Sequence, residues 1–233
     1  VGTPSYRSTV HAWERGLATF GPMRILITAG PTREPLDAIR LLTNRSSGQL
    51  GIAVASEAIK RGHDTTLLLG RGAHSPPSTI EACCRRFDST NDLQSLLDET
   101  FPAADLLIMA AAVADFIPEQ APGGTKMSRH DGPVQLTLHP APDLVATIAD
   151  RKRPEQTVVG FALEPGATLA KRAIEKLSRK GLDAIVANPL DTMESSHITA
   201  SLIWANGKID TAADDLSKEA FAAWLLDRLA PAP

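Results

Sequence analysis

From residue 23 onward, short apolar runs alternate with stretches of helical periodicity, and that alternation leaves the chain few ways to fold. The runs are MRILITAG (23–30), DTTLLLG (64–70), ACCRRF (82–87), DLLIMAAA (105–112), TVVGFALE (157–164) and LDAIVAN (182–188). The first ends on Gly30, as a buried parallel strand does. Between them, Ser46 and Ser47 can cap a helix through QLGIAVASEAIKR that Gly62 stops. Ser89 with Asp92 reads as a capping pair for a helix through Leu97, and Pro142 with Asp143 opens another to about Asp150. Helices are also expected over 167–180 and over DLSKEAFAAWLLDRL at the end. VQLTLH (134–139) alternates like a half-exposed strand, and ITASLIW, the turn Asn206-Gly207 and KID make a hairpin. Such a pattern predicts an α/β fold: a doubly wound, Rossmann-like, mostly parallel sheet with helices on both faces and an antiparallel edge hairpin.

Composition removes several functional classes. The balance of 24 basic against 27 acidic residues gives a net charge of −3, without the basic footprint of a nucleic-acid binder. No apolar run approaches the roughly 18 residues of a membrane span. The first 22 residues lack the unbroken apolar core of a signal peptide. Cys83 and Cys84 are adjacent, which suits neither a loop-closing disulfide nor a zinc site, so both read as strand residues. The expectation is a reduced, cytoplasmic protein with no membrane and no nucleic-acid partner. Residues 1–21 read as an extension or tag and residues 22–233 as a single domain, with Met23 a candidate start.

Ligands of doubly wound sheets sit beyond the carboxyl ends of the strands. That rule nominates the segments after Ala29, Ala112, Phe161 and Asn188. In ITAGPTREPLDAIRLLTNRSSGQLG (27–51), Gly30 lets backbone approach a ligand, while Ser46, Ser47 and Gly48 open a helix whose N-terminus favours an anion. Arg33, Arg40 and Arg45 add positive charge, and Arg40 and Asn44 share a face if they lie on one helical turn. A dinucleotide fingerprint is absent, and the second strand ends Leu69-Gly70-Arg71 without an acidic residue for a ribose. Arg71 leaves an NADP-dependent oxidoreductase as the rival reading. In MAAAVADFIP (109–118), small residues admit a flat ligand, and Asp115 is a turn residue, a ribose acceptor or a metal ligand. The long loop 113–133 carries Lys126, Arg129 and His130, either solvated or closing over phosphates. Asp143 suits a helix cap, and Phe161 is either core or a platform for a base. Lys176 and Lys180 share a helix face, solvated or turned to one anion. The histidines show no metal-ligand spacing.

Jointly these segments resemble the phosphopantothenoylcysteine synthetase family. ITAGPTREPLDAIRLLTNRSSGQLG matches its opening motif nearly residue for residue; AAAVADF, a lysine-bearing loop, PDLVA, VVGFALE and RKGLDAIVAN follow in the family's order. The resemblance implies a ligase that joins 4′-phosphopantothenate to L-cysteine, through an acyl-nucleotidylate made with CTP (ATP being possible), in coenzyme A biosynthesis. It implies Mg2+ travelling with the triphosphate, no flavin, a homodimer with its contact at the hairpin 198–210, and a form standing alone without the decarboxylase to which such domains are fused. By motif position, Asn44 contacts the acyl intermediate for the cysteine step, Arg40 contacts the same substrate, and Lys126 meets the nucleotide phosphates during activation. Gly30 and Ala111 join the phosphopantothenate site. Met109, Ala110 and Ala111 present backbone to the nucleotide, and Asp115 takes its ribose. Ala141, Pro142, Asp143 and Leu144 match further nucleotide positions, as do Phe161, Lys176 and Lys180. Three departures bear on nucleobase choice: Lys126-Met127-Ser128-Arg129 replaces Lys-Ile-Lys-Lys, Ala141-Pro142-Asp143 replaces Asn-Pro-Asp, and GFALEP replaces a GFAAET-like run.

Overall fold

Alternating burial builds the central sheet. In β1 (Arg24–Ala29), Ile25, Ile27 and Ala29 turn to one face and Leu26 and Thr28 to the other, all almost wholly buried. A strand lined on both faces needs cover on both, which the intervening helices supply. The structure is a computed structural model and describes residues 21–119, 126–190 and 195–232. In chain order β1 is followed by β2 (Arg33–Pro35), β3 (Leu41–Thr43), α1 (Gln49–Lys60), β4 (Asp64–Gly70), α2 (Ser78–Glu81), β5 (Cys84–Phe87) and α3 (Thr90–Thr100). Next come β6 (Leu106–Met109), β7 (Phe116–Pro118), β8 (Leu138–Pro140), α4 (Leu144–Asp150), β9 (Thr157–Glu164), α5 (Leu169–Arg179) and β10 (Ala184–Pro189). The chain closes with β11 (His197–Ile198), β12 (Ser201–Trp204), β13 (Ile209–Thr211), β14 (Leu216–Ser217) and α6 (Lys218–Leu229).

Eight strands form the main sheet in the order β13-β12-β10-β9-β6-β1-β4-β5. The six from β10 to β5 are parallel, and β12 and β13 add an antiparallel hairpin at the edge, as the alternation predicts. The chain starts in the middle, winds outward through β4 and β5, then returns to build β6, β9 and β10 on the other side. The order therefore reverses between β1 and β6, which is where a ligand crevice opens. α1, α2 and α6 cover one face and α3, α4 and α5 the other. α1 lies very close to β1: a Cβ on Gly51 would stand 2.4 Å from that of Ala29. Only glycine permits this approach, and it brings the start of α1 to the carboxyl end of β1.

Four local expectations are corrected. The segment 31–45 is neither plain loop nor helical turn: β2 and β3 pair antiparallel, with Arg33 opposite Thr43, so Arg40 and Asn44 flank a strand. Tertiary ties hold this hairpin, since Arg33 bonds Asp88 at 2.5 Å and buried Glu34 accepts from the Thr90 hydroxyl at 2.6 Å. The cap of α1 is Gly48, in the left-handed region at φ 73, not Ser46 or Ser47. VQLTLH pairs over its second half, Thr137 with Glu119 and then β8 with β7, and stays exposed. Ile198 belongs not to the edge hairpin but to a short pairing with Leu216. The capping box of Ser89 and Asp92 and the Asp143 cap of α4 form as expected.

Candidate functional site

At the switch point the loops after β1 and β6 are laced together. Ala112 N–H donates to the Gly30 carbonyl at 2.9 Å, and Thr32 N–H to the Ala112 carbonyl at 3.2 Å. The Thr28 hydroxyl accepts from Ala111 N–H at 3.1 Å and lies 3.3 Å from Met109 Sδ. The amides of Ala110, Ala111 and Ala112 are all turned inward. Asn44 crosses this seam, its Nδ2 donating to the carbonyls of Ala112 (3.1 Å) and Val113 (3.0 Å).

Above the seam lies an open cleft of about 920 Å³. Its lining takes in residues 43–51, 109–115 and 141–145, with side chains from β9, α5, β10 and α6. Of the four nominated segments, those after Ala112 and Phe161 line it directly and the one after Ala29 reaches it through residues 43–51, whereas at the fourth Asn188 itself lies on it but Pro189 and Leu190 do not. Asn44, Met109, Ala110, Ala111, Asp115, Ala141, Pro142, Asp143, Leu144, Phe161, Lys176 and Lys180 all lie on it. Gly30 does not: it is buried at the level where the start of α1 meets the turn after β4, and a Cβ there would stand 2.7 Å from that of Ala73. Arg40 and Lys126 also stand outside the lining. They are neighbours, because the Arg40 guanidinium donates to the Met127 carbonyl at 2.7 Å, while Met127 N–H donates to Asp37 at 3.0 Å. Asp37 gathers the amides of Ile39, Arg40 and Met127, and these bonds hold its carboxyl below the usual carboxylate range. The β2–β3 hairpin thus anchors the stem of the lysine-bearing loop beside the cleft; residues 120–125 of that loop lie outside the described residues.

Two cationic walls face each other. On the α5 side, Lys176 Nζ donates to the Phe161 carbonyl at 2.7 Å, and Lys180 Nζ bridges both oxygens of Asp143 at 2.8 and 2.9 Å. Burial, with Lys180 nearby, lowers the Lys176 pKa. On the α1 side, Gly48 starts the helix without a side chain of its own, Gln49 N–H lies 3.4 Å from Ser47 Oγ, and Lys218 Nζ reaches Gln49 Oε1 at 2.9 Å. Burial lowers the Lys218 pKa as well. Lys218 was not foreseen, although its sequence carried a signal: a lysine directly after the capping Ser217 opposes the helix dipole. Among the described residues no cluster of three or more His, Cys, Asp or Glu could hold a metal ion. Cys83 and Cys84 are half-buried free thiols, and His63 is structural, its Nε2 3.1 Å from the Ala230 carbonyl.

The geometry suits ligands that carry negative charge at more than one place. Residues 21–232 match the family model described as the DNA/pantothenate metabolism flavoprotein C-terminal domain. The chain is 39% identical over 167 residues to a cysteine/cysteine sulfinic acid decarboxylase from an unknown prokaryotic organism, covering 72% of this chain and 46% of that protein. It is 34% identical over 217 residues to the coenzyme A biosynthesis bifunctional protein CoaBC of Mycobacterium tuberculosis, covering 88% of this chain and 51% of that one. The chain therefore spans about half the length of these relatives. The crystal structure of the C-terminal domain of a CoaBC superposes with a TM-score of 0.72 at 29% identity, over 89% of this chain and 93% of that one.

Proposed function

Because the chain belongs to the DNA/pantothenate metabolism flavoprotein C-terminal domain family, we propose that it joins 4′-phosphopantothenate to L-cysteine in coenzyme A biosynthesis. The observation that carries the reading is the cleft at the switch point, roomy enough for two ligands and walled by cations on both sides. A carboxylate does not accept an amine directly, because oxide is too poor a leaving group. Its oxygen therefore attacks the α-phosphorus of a nucleoside triphosphate, and the bond to the β-phosphate oxygen breaks. Pyrophosphate leaves, and a mixed anhydride remains. The cysteine nitrogen, once deprotonated, attacks the acyl carbon; the acyl–oxygen bond breaks and the nucleoside monophosphate departs. Both steps gather negative charge on oxygen, so fixed cations and donors at these positions carry the catalysis.

In this proposal the nucleotide lies along the α5 wall, with its base against Phe161 and the carbonyls beyond β6, and its ribose at Asp115. Residues 141–144, with Lys176 and Lys180, complete that side. Lys126 reaches over from the rim to the phosphates, and Arg40 fixes the stem from which it reaches. Asn44, at the seam, faces the acyl group. Ala111 meets the phosphopantothenate, while Gly30 supports the wall from beneath. The nucleotide is CTP, with ATP the alternative. Mg2+ arrives on its phosphates, held chiefly by their oxygens and by water, which suits an ion that keeps much of its hydration. No flavin takes part. The NADP-dependent alternative is not retained, since the CoaBC protein matched over 88% of the chain is a coenzyme A biosynthesis protein. We extend the proposal to residues 22–233 acting as one domain, in the cytoplasm, as a homodimer. No described helix is long and apolar enough to cross a membrane.

The test is to mix the chain with 4′-phosphopantothenate, L-cysteine and either CTP or ATP. Release of pyrophosphate and nucleoside monophosphate, with a product of the condensed mass, supports the reading. Silence with both nucleotides refutes it.

A further inference from the structure

Lys218 breaks two local rules at once. It is the first residue of α6, where the positive end of the helix dipole repels a cation, and it is only 8% exposed, so burial disfavours its charged form. Both penalties would vanish with a neutral side chain. Sites that violate local preference in this way are commonly functional. Lys218 lines the cleft. Among the described residues its hydrogen-bond partner is a neutral amide oxygen, Gln49 Oε1 at 2.9 Å, and no carboxylate pairs with it. Glu219 follows it in the chain but faces solvent. The amide is itself fixed, because Gln49 Nε2 lies 3.0 Å from His74 Nδ1. Gln49 is the first residue of α1, whose N-cap Gly48 has no side chain and whose first N–H lies 3.4 Å from Ser47 Oγ. An ammonium with donors to spare thus stands beside the start of α1, on the cleft wall, with no carboxylate bonded to it among the described residues.

We infer that Lys218, held by Gln49 at the start of α1, is a phosphoryl-binding residue of this cleft. The inference rests on the ligase reading for the identity of its ligands, both of which are phosphorylated. The group bound is either the triphosphate of the nucleotide or the monoester of phosphopantothenate, and the arms of the experiment separate them.

The full chain and its Lys218→Met variant are compared in two ways. In the first, thermal midpoints are read alone and with inorganic pyrophosphate, CTP or 4′-phosphopantothenate. The unliganded variant should melt no lower than the parent, since it buries no charge, yet lose at least half of the upward shift given by the phosphorylated ligand that Lys218 meets. In the second, KM is measured for each substrate. It should rise about tenfold to a hundredfold for that same ligand, the range spanned by one lost hydrogen bond to a charged group, and stay level for cysteine. Lys218→Arg, which keeps the charge, should recover part of the loss. A rise for CTP assigns the triphosphate; a rise for phosphopantothenate assigns the monoester. Unchanged shifts and unchanged KM values, or a lowered melting point as the sole effect, overturn the inference. Should Lys218→Met not fold, Gln49→Leu gives the decisive reading, with the same direction expected. If the parent forms no product, the ligase reading falls, while the pyrophosphate shift still decides Lys218.

Discussion

The two walls of the cleft carry the same kind of charge and treat it in opposite ways. On the α5 side, Lys180 is locked to Asp143 and Lys176 to a main-chain carbonyl. Those cations are aimed before any ligand arrives, and much of the charge of one is already cancelled. On the α1 side, Lys218 meets a neutral amide oxygen at the start of α1, and among the described residues no carboxylate is bonded to it. The first arrangement fixes shape; the second leaves a net attraction. A site that must orient one phosphorylated molecule against another gains from having both, because orientation and pull then come from different residues. Asn44 and the anchored stem near Lys126 belong to neither wall, and they offer the sharpest ways to break the comparison.

Lys126→Gln should have the largest effect. If a cation at the rim is required when charge builds on the leaving phosphates, pyrophosphate release should fall by about 10²–10³, the usual cost of removing one fixed donor to developing charge. A normal burst of pyrophosphate would mean that the two walls suffice and that Lys126 takes no part. Asn44→Asp comes next. Its new carboxylate would face two main-chain carbonyls at the seam, and the misplaced acyl group should slow cysteine attack about 10²-fold. Activation should persist, so mass spectrometry should find the acyl-nucleotidylate accumulating. Product formed at the parent rate would remove Asn44 from the second step.

A smaller effect tests the compensation on the α5 wall itself. Lys180→Met leaves Asp143 as an unpaired carboxylate facing incoming phosphates, so KM for the nucleotide should rise about tenfold, as for one lost charged hydrogen bond. Adding Asp143→Asn removes that repulsion while keeping a good cap for α4. The double variant should therefore bind nucleotide better than Lys180→Met alone. Additive losses instead would show that the pair does not act as a unit.

How much of this the sequence displayed depended on what holds each part. The strands of the main sheet were readable because burial on both faces demands apolar runs, and β4 and β9 coincide with the runs DTTLLLG and TVVGFALE. The Ser89–Asp92 box was readable because its bonds are local. The β2–β3 hairpin was not, because its stability comes from Asp88 and Thr90, more than fifty residues away in sequence. VQLTLH alternated like a strand, but among the described residues only its second half pairs, Thr137 with Glu119 and Leu138 and His139 within β8. In the site, the motif from 27 to 51 and the residues beyond β6 were readable, because backbone approach and a helix start impose residue types. That Gly30 packs inside while Arg40 grips Met127 was not, since both facts rest on contacts made by chain folding back from elsewhere.

The mildest effect concerns the tie that holds Lys126 near the cleft. Asp37 accepts the amide hydrogens of Ile39, Arg40 and Met127, with Arg40 beside it, and its folded-state pKa lies below the ordinary value of 3.8. A carboxyl whose pKa is depressed by folding stabilises the fold fully above its unfolded value, and that contribution drains away as pH falls through the folded one. The melting-point gap between the parent and Asp37→Asn should thus be constant from about pH 7 to about pH 5 and close below about pH 4. A gap that instead closed between neutral and mildly acidic pH would mean that a histidine, not Asp37, governs the stem. The ratio of parent to Asp37→Asn activity should follow the same course, because protonating Asp37 loosens Met127 without touching either wall, while the pH demand of the cysteine amine is common to both.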